Sequence, residues 1–395
     1  MRLEPRPELD AYRAQVRDFI ATRSPGRRAH TGVRAPEPEL MPAIRTWIAE
    51  LYDADLLGQS WPVEHGGLPG DRTEFAFIVA EELARARAWG EIGAAGLASG
   101  ALLAFGTQEQ KAHFLPRIRS GEDLWCQLFS EPGAGSDLAG LSTRARRDGD
   151  HYVVDGQKVW TTNGHHADVG YLLARTDGSG VKQAGITAFA LDMRTPGVDV
   201  RPLREITGTT DFNEVFLDSV RIPVDRVIGK VDDGWRVANT SLGHERSSVG
   251  ARGVELIEQL DELIGLARET RVGAGPALAD PATRARLGRT ATRALVADLM
   301  GKVVQSRILG GTEDAADAPL AKVLYSEVNL EAAELGLALG GIGGIATEGD
   351  ADVLAGGWWQ DAWLYARAYT IAGGANEVLK TVVAERALGL PKDRR

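Results

Sequence analysis

A single cysteine, Cys126, occurs in the 395 residues, so no disulfide can form within the chain, and neither paired-cysteine zinc sites nor CxxC redox chemistry is available to it. No stretch holds 18 uninterrupted apolar residues, and the opening MRLEPRPELDAYRAQVRDF carries charges and prolines where a signal peptide needs an apolar run. The expectation is a cytoplasmic protein, neither secreted nor inserted in a membrane. Lysine and arginine form no tract, and the formal net charge is -10, so nothing points to a surface that tracks nucleic-acid phosphates. Internal repeats and low-complexity segments are also missing.

What is present is an ordinary globular composition, 44% hydrophobic and 25% charged, in a chain long enough for two or three domains. Up to residue 122 the pattern is helical: Phe75, Ile78, Val79 and Leu83 recur at spacings of three and four, between Pro/Gly-rich stretches such as WPVEHGGLPG. Residues 123–231 read as short strands (HYVV, QKVWTT, VGYLLAR, ITAFAL, NEVFL) separated by turn pairs such as Asp155-Gly156 and Asp177-Gly178. From 232 to 395 the helical period returns, with one apolar stripe at Leu320, Val323, Leu324, Val328, Leu335 and Leu339 and another at Val378, Leu379, Val382 and Val383. Helices, then strands, then helices give an α+β fold and argue against a doubly wound nucleotide fold, which alternates strand and helix throughout.

Three segments could carry chemistry. In SEPGAGSD the glycines expose backbone N–H groups and the hydroxyls add donors, so the segment suits a pyrophosphate or a flavin edge, or else an ordinary turn. It is not GxGxxG, because Leu138 stands where the third glycine belongs. Downstream, Trp160, Thr161, Thr162 and Asn163 end a strand; an indole can lie against a flat heteroaromatic ring, or simply pack on a sheet. After Asp232, Trp235, Ala238, Leu242, Glu245 and Val249 recur at helical spacing, which puts the Glu245 carboxylate on an apolar stripe with Arg246 toward its edge. A carboxyl so placed has a raised pKa and can act as a general base, or it serves a structural ion pair. Near the C-terminus, the segment Thr370-Ile371-Ala372-Gly373-Gly374-Ala375-Asn376-Glu377 precedes an amphipathic helix. Its amides could hold a cofactor or a carbonyl oxygen, and the LGGIGG run at 339–344 is either a close backbone approach to a ligand or a helix stop.

Taken in order, Trp61-Pro62 with Gly66-Gly67, Gln110-Lys111, FLP at 114–116, SEPGAGSDLAG, GQKVWTTNG, PGVDVRPL, FNEVFLDSVRIP, Gly234-Trp235 and AERALGLP resemble the acyl-CoA dehydrogenase family nearly from end to end. The resemblance implies a helical N-terminal domain (1–122), a middle antiparallel β-barrel (123–231) and a C-terminal four-helix bundle (232–395). It also implies FAD bound between domains and across a subunit interface. Carried over by position, Ser130, Gly135 and Ser136 fall on the flavin and its phosphates, Trp160 and Thr162 at the isoalloxazine ring, and Ser136 also beside the CoA thioester. Gly373, Gly374 and Asn376 are expected at the cofactor, and Arg246 and Ala372 at the substrate, the latter through its N–H. Most of the family keeps its base in a Tyr-Glu-Gly-Thr motif; here the matching stretch is Ile371-Ala372-Gly373-Gly374, without a carboxylate. Members resembling isovaleryl-CoA dehydrogenase carry the base on the first helix of the C-terminal domain, immediately before an arginine, and Glu245-Arg246 matches that arrangement. The helical spacing and the resemblance thus agree on Glu245.

The implied reaction removes the α proton to Glu245 and passes the β hydride to the flavin, with an electron-transfer flavoprotein as the acceptor. The family's contacts to the ADP half of FAD match poorly: the Phe-Gly pattern is missing around Arg268, Leu337 stands where a glutamine belongs, and Pro281 lies near the other glutamine position. Both a homo-oligomer and a heterotetramer with a related subunit are therefore open. The shifted base and the IAGGxxE segment look like bacterial dehydrogenases of bulky or steroid-derived CoA thioesters. Two rival readings are a flavin oxidase on the same fold and a non-catalytic subunit of a hetero-oligomeric dehydrogenase.

Overall fold

The structure is a computed structural model that describes residues 6–34, 36–244, 249–351 and 353–392. Helices come first: α1 (Pro7–Arg23), α2 (Met41–Asp53), α3 (Thr73–Ala86), α4 (Ala95–Phe105) and α5 (Gln108–Arg119). Strands follow: β1 (Trp125–Leu128), β2 (Arg144–Asp148), β3 (His151–Thr162), β4 (Val169–Arg175), β5 (Ile186–Asp192), β6 (Val198–Leu203), β7 (Phe212–Pro223) and β8 (Val227–Ile228). The chain then returns to helix in α6 (Gly234–His244), α7 (Val249–Glu269), α8 (Pro281–Gly310), α9 (Asp317–Gly340), α10 (Trp358–Ile371) and α11 (Asn376–Val382), with a two-residue β hairpin between α7 and α8.

Two compact units arise from this order. One holds α2, α4, α5, the sheet and α6; the other holds α1, α3 and the helices from α7 onward. In the first, the sheet runs β6-β7-β3-β2-β4-β5-β8 with β1 on β4. It is antiparallel apart from β4, which lies parallel to β1 and touches β2 in the same sense. Alternation along β3 turns Tyr152, Val154 and Lys158 inward, so the sheet's core contains a lysine as well as Phe189, Leu217 and Ile222. On the other side, α4 is built of small residues (AGLASGALLAF), is buried along most of its length and packs on α6. A capping box starts α5: the Thr107 Oγ accepts from the Gln110 N–H while the Gln110 side chain accepts from the Thr107 N–H. The Gln110 amide then donates to the Asp225 and Val227 carbonyls at 2.6 and 2.8 Å, tying α5 to the start of β8.

In the second unit, α7, α8, α9 and α10 pack as a bundle around Leu256, Leu263, Leu287, Val328, Leu335 and Trp359. Of the stripe expected on α9, Val328 and Leu335 reach this core, whereas Leu320 is exposed. No helix among the described residues is long and apolar enough to cross a membrane, and none of their acidic, histidine or cysteine side chains form a group able to hold a metal ion.

Candidate functional site

The SEPGAGSD segment leaves β1 and closes a tight turn, in which the Glu131 and Ala134 backbones bond each other at 3.1 and 3.0 Å. Ser130 is half-buried; Gly133, Gly135 and Ser136 face outward, and the space beside both glycines is open to 4 Å. The turn is held from beneath by Glu131. Its carboxylate accepts from the Ser142 N–H and Oγ at 2.6 and 2.7 Å, from the Thr143 N–H at 2.9 Å and from the Lys158 Nζ at 2.8 Å. Lys158 is 0% exposed and also donates to the Phe129 carbonyl at 3.0 Å. Burial works to raise the Glu131 carboxyl, but Lys158 and the surrounding donors outweigh it and hold the group at about 2. For Lys158, burial pulls the ammonium down to about 8 although Glu131 works to raise it.

Lys158 leads directly into Trp160. The β3–β7 register shifts between Lys158 and Thr161, and this bulge turns the Val159 N–H toward the Ser130 carbonyl at 2.9 Å. The two motifs that lie some thirty positions apart in sequence are thereby adjacent, Ser130 next to the strand that carries Trp160 and Thr162. Trp160 takes φ 60°, in the left-handed region, and its indole is 62% exposed, with Phe212 edge-on at 6.2 Å. Such a backbone costs about 1–3 kcal/mol in a non-glycine residue, and an exposed indole returns little of it through packing. Both features fit a site that takes a flat ring against the indole. Asn163 follows, also left-handed at φ 55°, and receives its register from the Asp211 carbonyl at 2.8 Å.

Residues 372–376 belong to the helical unit. Gly373 and Gly374 both lie in the left-handed region, φ 67° and 98°, which reverses the chain between α10 and α11 and requires glycine. Lys322 on α9 clamps the reversal by donating to the Gly374 carbonyl at 2.6 Å and to the Asn376 Oδ1 at 2.9 Å. Burial, with Arg252 nearby, draws the Lys322 ammonium down to about 8.

Two expectations change here. Asn376 is not an outward donor to a cofactor: it is buried, with its amide donating to the Ser326 Oγ at 3.0 Å and its oxygen bonded by Lys322, because the reversal turns it back onto α9. The Ala372 N–H closes the last turn of α10 on the Ala368 carbonyl at 2.8 Å, so it is already engaged and is not the donor foreseen for a thioester oxygen. Ala372 and Gly373 themselves are exposed. Glu245 and Arg246 lie outside the described residues. The helix that leads to them, α6, is seated by Val237, Ala238 and Ser241, with the Ser241 Oγ 3.2 Å from the Tyr171 hydroxyl.

The sequence reading missed Glu131, Lys158 and Lys322. A signal existed for Lys158, the one charged residue on the inward positions of an alternating strand. Nothing local paired it with Glu131, 27 positions earlier.

Comparison with known proteins follows the same division of the chain. The profile for "Acyl-CoA dehydrogenase, N-terminal domain" matches residues 6–122, that for the middle domain 126–220 and that for the C-terminal domain 232–388. "Acyl-CoA dehydrogenase IpdE1" of Mycobacterium tuberculosis is 38% identical over 98% of this chain and 99% of its own length. Among solved structures, the "Tcur3481-Tcur3483 steroid ACAD" superposes with a TM-score of 0.88 at 28% identity, covering 100% of both chains. The ChsE4-ChsE5 complex from Mycobacterium tuberculosis gives 0.85 at 30% identity, again over 100% of both. The chain belongs to the acyl-CoA dehydrogenase family of flavoprotein oxidoreductases.

Proposed function

We propose that this chain carries out the FAD-dependent α,β-dehydrogenation of an acyl-CoA thioester, with Glu245 as the base. The observation that carries the cofactor side of this reading is Trp160, exposed in a strained backbone beside an open Gly/Ser turn that a buried ion pair locks in place. Ser130, Gly135 and Ser136 would hold the flavin and its phosphates, and Trp160 and Thr162 would serve the isoalloxazine ring. The bound FAD supplies the two-electron acceptor for the β hydride. Gly373 and Gly374 are assigned to the cofactor by the family resemblance, and both take the left-handed backbone that reverses the chain there.

Proton removal is the task of the protein itself. An acyl-CoA α proton is weakly acidic, so the base must have a pKa near the working pH, which burial on an apolar stripe gives a glutamate. Glu245 is assigned that role by helical spacing and by the Glu-Arg match to the family; Arg246 and Ser136 border the thioester. Ala372 leaves room at the position where most of the family has its base.

We place the domain boundaries at 1–122, 123–231 and 232–395, where element type changes between α5 and β1 and between β8 and α6. The physiological setting proposed is cytoplasmic, with an electron-transfer flavoprotein as acceptor. The solved relatives titled as a steroid ACAD and as a two-protein complex support a bulky, ring-containing acyl group and assembly with a related subunit. The test is anaerobic mixing of the purified holoprotein with a panel of straight-chain, branched and steroid-side-chain acyl-CoA thioesters. Bleaching of the flavin absorbance by at least one thioester, with slow reoxidation by oxygen, is expected. Fast peroxide formation would favour an oxidase, and an inert flavin would overturn the reading.

A further inference from the structure

Among the described residues, five lysines have a bonded Nζ, and four of them meet a carboxylate: Lys158 meets Glu131, Lys182 meets Asp137, Lys302 meets Asp298 and Lys380 meets Glu327. Lys322 is the exception. It lies half-buried on α9, and its two acceptors, the Gly374 carbonyl at 2.6 Å and the Asn376 Oδ1 at 2.9 Å, are both neutral. Both belong to the reversal between α10 and α11, where Ala372 and Gly373 are exposed. The charged groups that act on Lys322 are Arg252 on α7 and Glu377 on α11.

A lysine ammonium carries three N–H donors, and the neutral amine carries two. Two neutral acceptors therefore satisfy the Lys322 amine completely. Loss of the proton costs neither bond and leaves a lone pair free to attack. Burial and the Arg252 guanidinium favour that neutral form, against the smaller opposite pull of Glu377. Desolvation and a neighbouring cation are the two ways in which a lysine becomes nucleophilic near neutral pH. Lys158 is also drawn down by burial, but it is 0% exposed and out of reach of a reagent. We propose that Lys322 is a site of Nε-acylation and takes its acyl group from an acyl-CoA thioester. The Nζ lone pair adds to the thioester carbonyl, the N–C bond forms as the C–S bond breaks, and coenzyme A leaves as thiolate. The proton shed by the nitrogen passes through water to that thiolate, so the products are an amide and the free thiol.

The acylated nitrogen is neutral and keeps one N–H, which can serve the Gly374 carbonyl or the Asn376 Oδ1 but not both. Acylation thus gives up one of the two bonds that hold the reversal, and acyl-CoA that accumulates slackens a turn expected to border its own site. The inference rests on the proposed function for its donor and for the place of Ala372 at the substrate; dehydrogenation itself takes no part in the transfer.

The experiment incubates the holoprotein with octanoyl-CoA at a series of pH values and reads the acyl occupancy of each lysine by peptide mass spectrometry, with the exposed Lys182 and Lys230 as references. At pH 8, where the Lys322 ammonium titrates, Lys322 should be acylated about tenfold or more faster than either reference. Its rate should level off at higher pH while theirs keep climbing. Labelling of Lys322 no faster than the references overturns the inference. Lys322→Arg should lose this label and keep the others. On the acylated protein, amide hydrogen exchange over residues 373–379 should quicken; unchanged exchange would overturn the release of the reversal. If Lys322 is labelled preferentially while no thioester bleaches the flavin, the acylation site stands and the proposed function fails. If thioesters bleach the flavin and Lys322 shows no preference, the acylation site fails and the proposed function stands.

Discussion

The Gly/Ser turn of the sheet-bearing unit and the glycine reversal of the helical unit are each held by one lysine, but the two lysines face different partners. Lys158 is fully buried against a carboxylate that accepts three further bonds from the protein. Lys322 is half-buried and bonds a neutral carbonyl and a neutral amide. Removing one member of the first pair strands a charge away from water, whereas removing Lys322 leaves neutral groups beside an exposed turn, where water can replace it. The Gly/Ser turn is therefore built to hold one shape or fail, and the reversal at 372–376 is built to yield.

The largest effect expected from this contrast is at Glu131. Glu131→Gln should destabilise the protein by about 3–5 kcal/mol, the usual result of breaking a buried pair, read from urea unfolding of the apoprotein. The double variant Glu131→Gln with Lys158→Met should recover part of the loss. Equal instability of both variants would mean that shape, and not the stranded charge, is what matters.

Acid offers a second route to the same pair. The Glu131 carboxyl titrates at about 2 in the folded chain against an ordinary 4.5. Its contribution is fully present above pH 4.5 and is lost as the pH falls toward 2, a displacement worth roughly 3 kcal/mol. The stability gap between wild type and Glu131→Gln should accordingly shrink through that window; a gap that stays constant would show that the ionised carboxylate is not the stabilising form.

At the other turn, Lys322→Met should cost about 1–3 kcal/mol, confined to the reversal. Amide hydrogen exchange over residues 373–379 should quicken while the bundle core at Leu335 and Trp359 keeps its protection. Spread of the effect into α9 and α10 would remove the contrast between the two turns. The smallest effect belongs to Trp160→Asn. Asparagine tolerates left-handed backbone better than tryptophan, so the apoprotein should change by no more than about 1 kcal/mol in either direction, while flavin retention on gel filtration should fall. Unchanged flavin content would remove the indole from the cofactor site.

The helical ends and the strand-rich middle were legible because each rests on local pattern, helical spacing and alternation, while the association of SEPGAGSD with the Trp160 strand came from the family resemblance. What was not legible depends on contacts between distant segments. Nothing in the spacing of Phe77 and Ile78 places α3 with the C-terminal helices while α4 and α5 go with the sheet. Asn376 illustrates the same limit at one side chain. Its place after two glycines reads as a cofactor donor, but two consecutive left-handed residues swing it back onto Lys322 and Ser326. Ala372 is similar, its N–H engaged by the end of α10.

The central claim is that this flavin-site scaffold serves proton abstraction by Glu245. It is tested most directly by anaerobic stopped-flow bleaching of the flavin with the best acyl-CoA substrate, comparing wild type and Glu245→Gln at equal flavin content. Loss of a base of this kind should slow bleaching by about a hundredfold or more while the thioester still binds; bleaching at the same rate in both proteins would contradict the assignment.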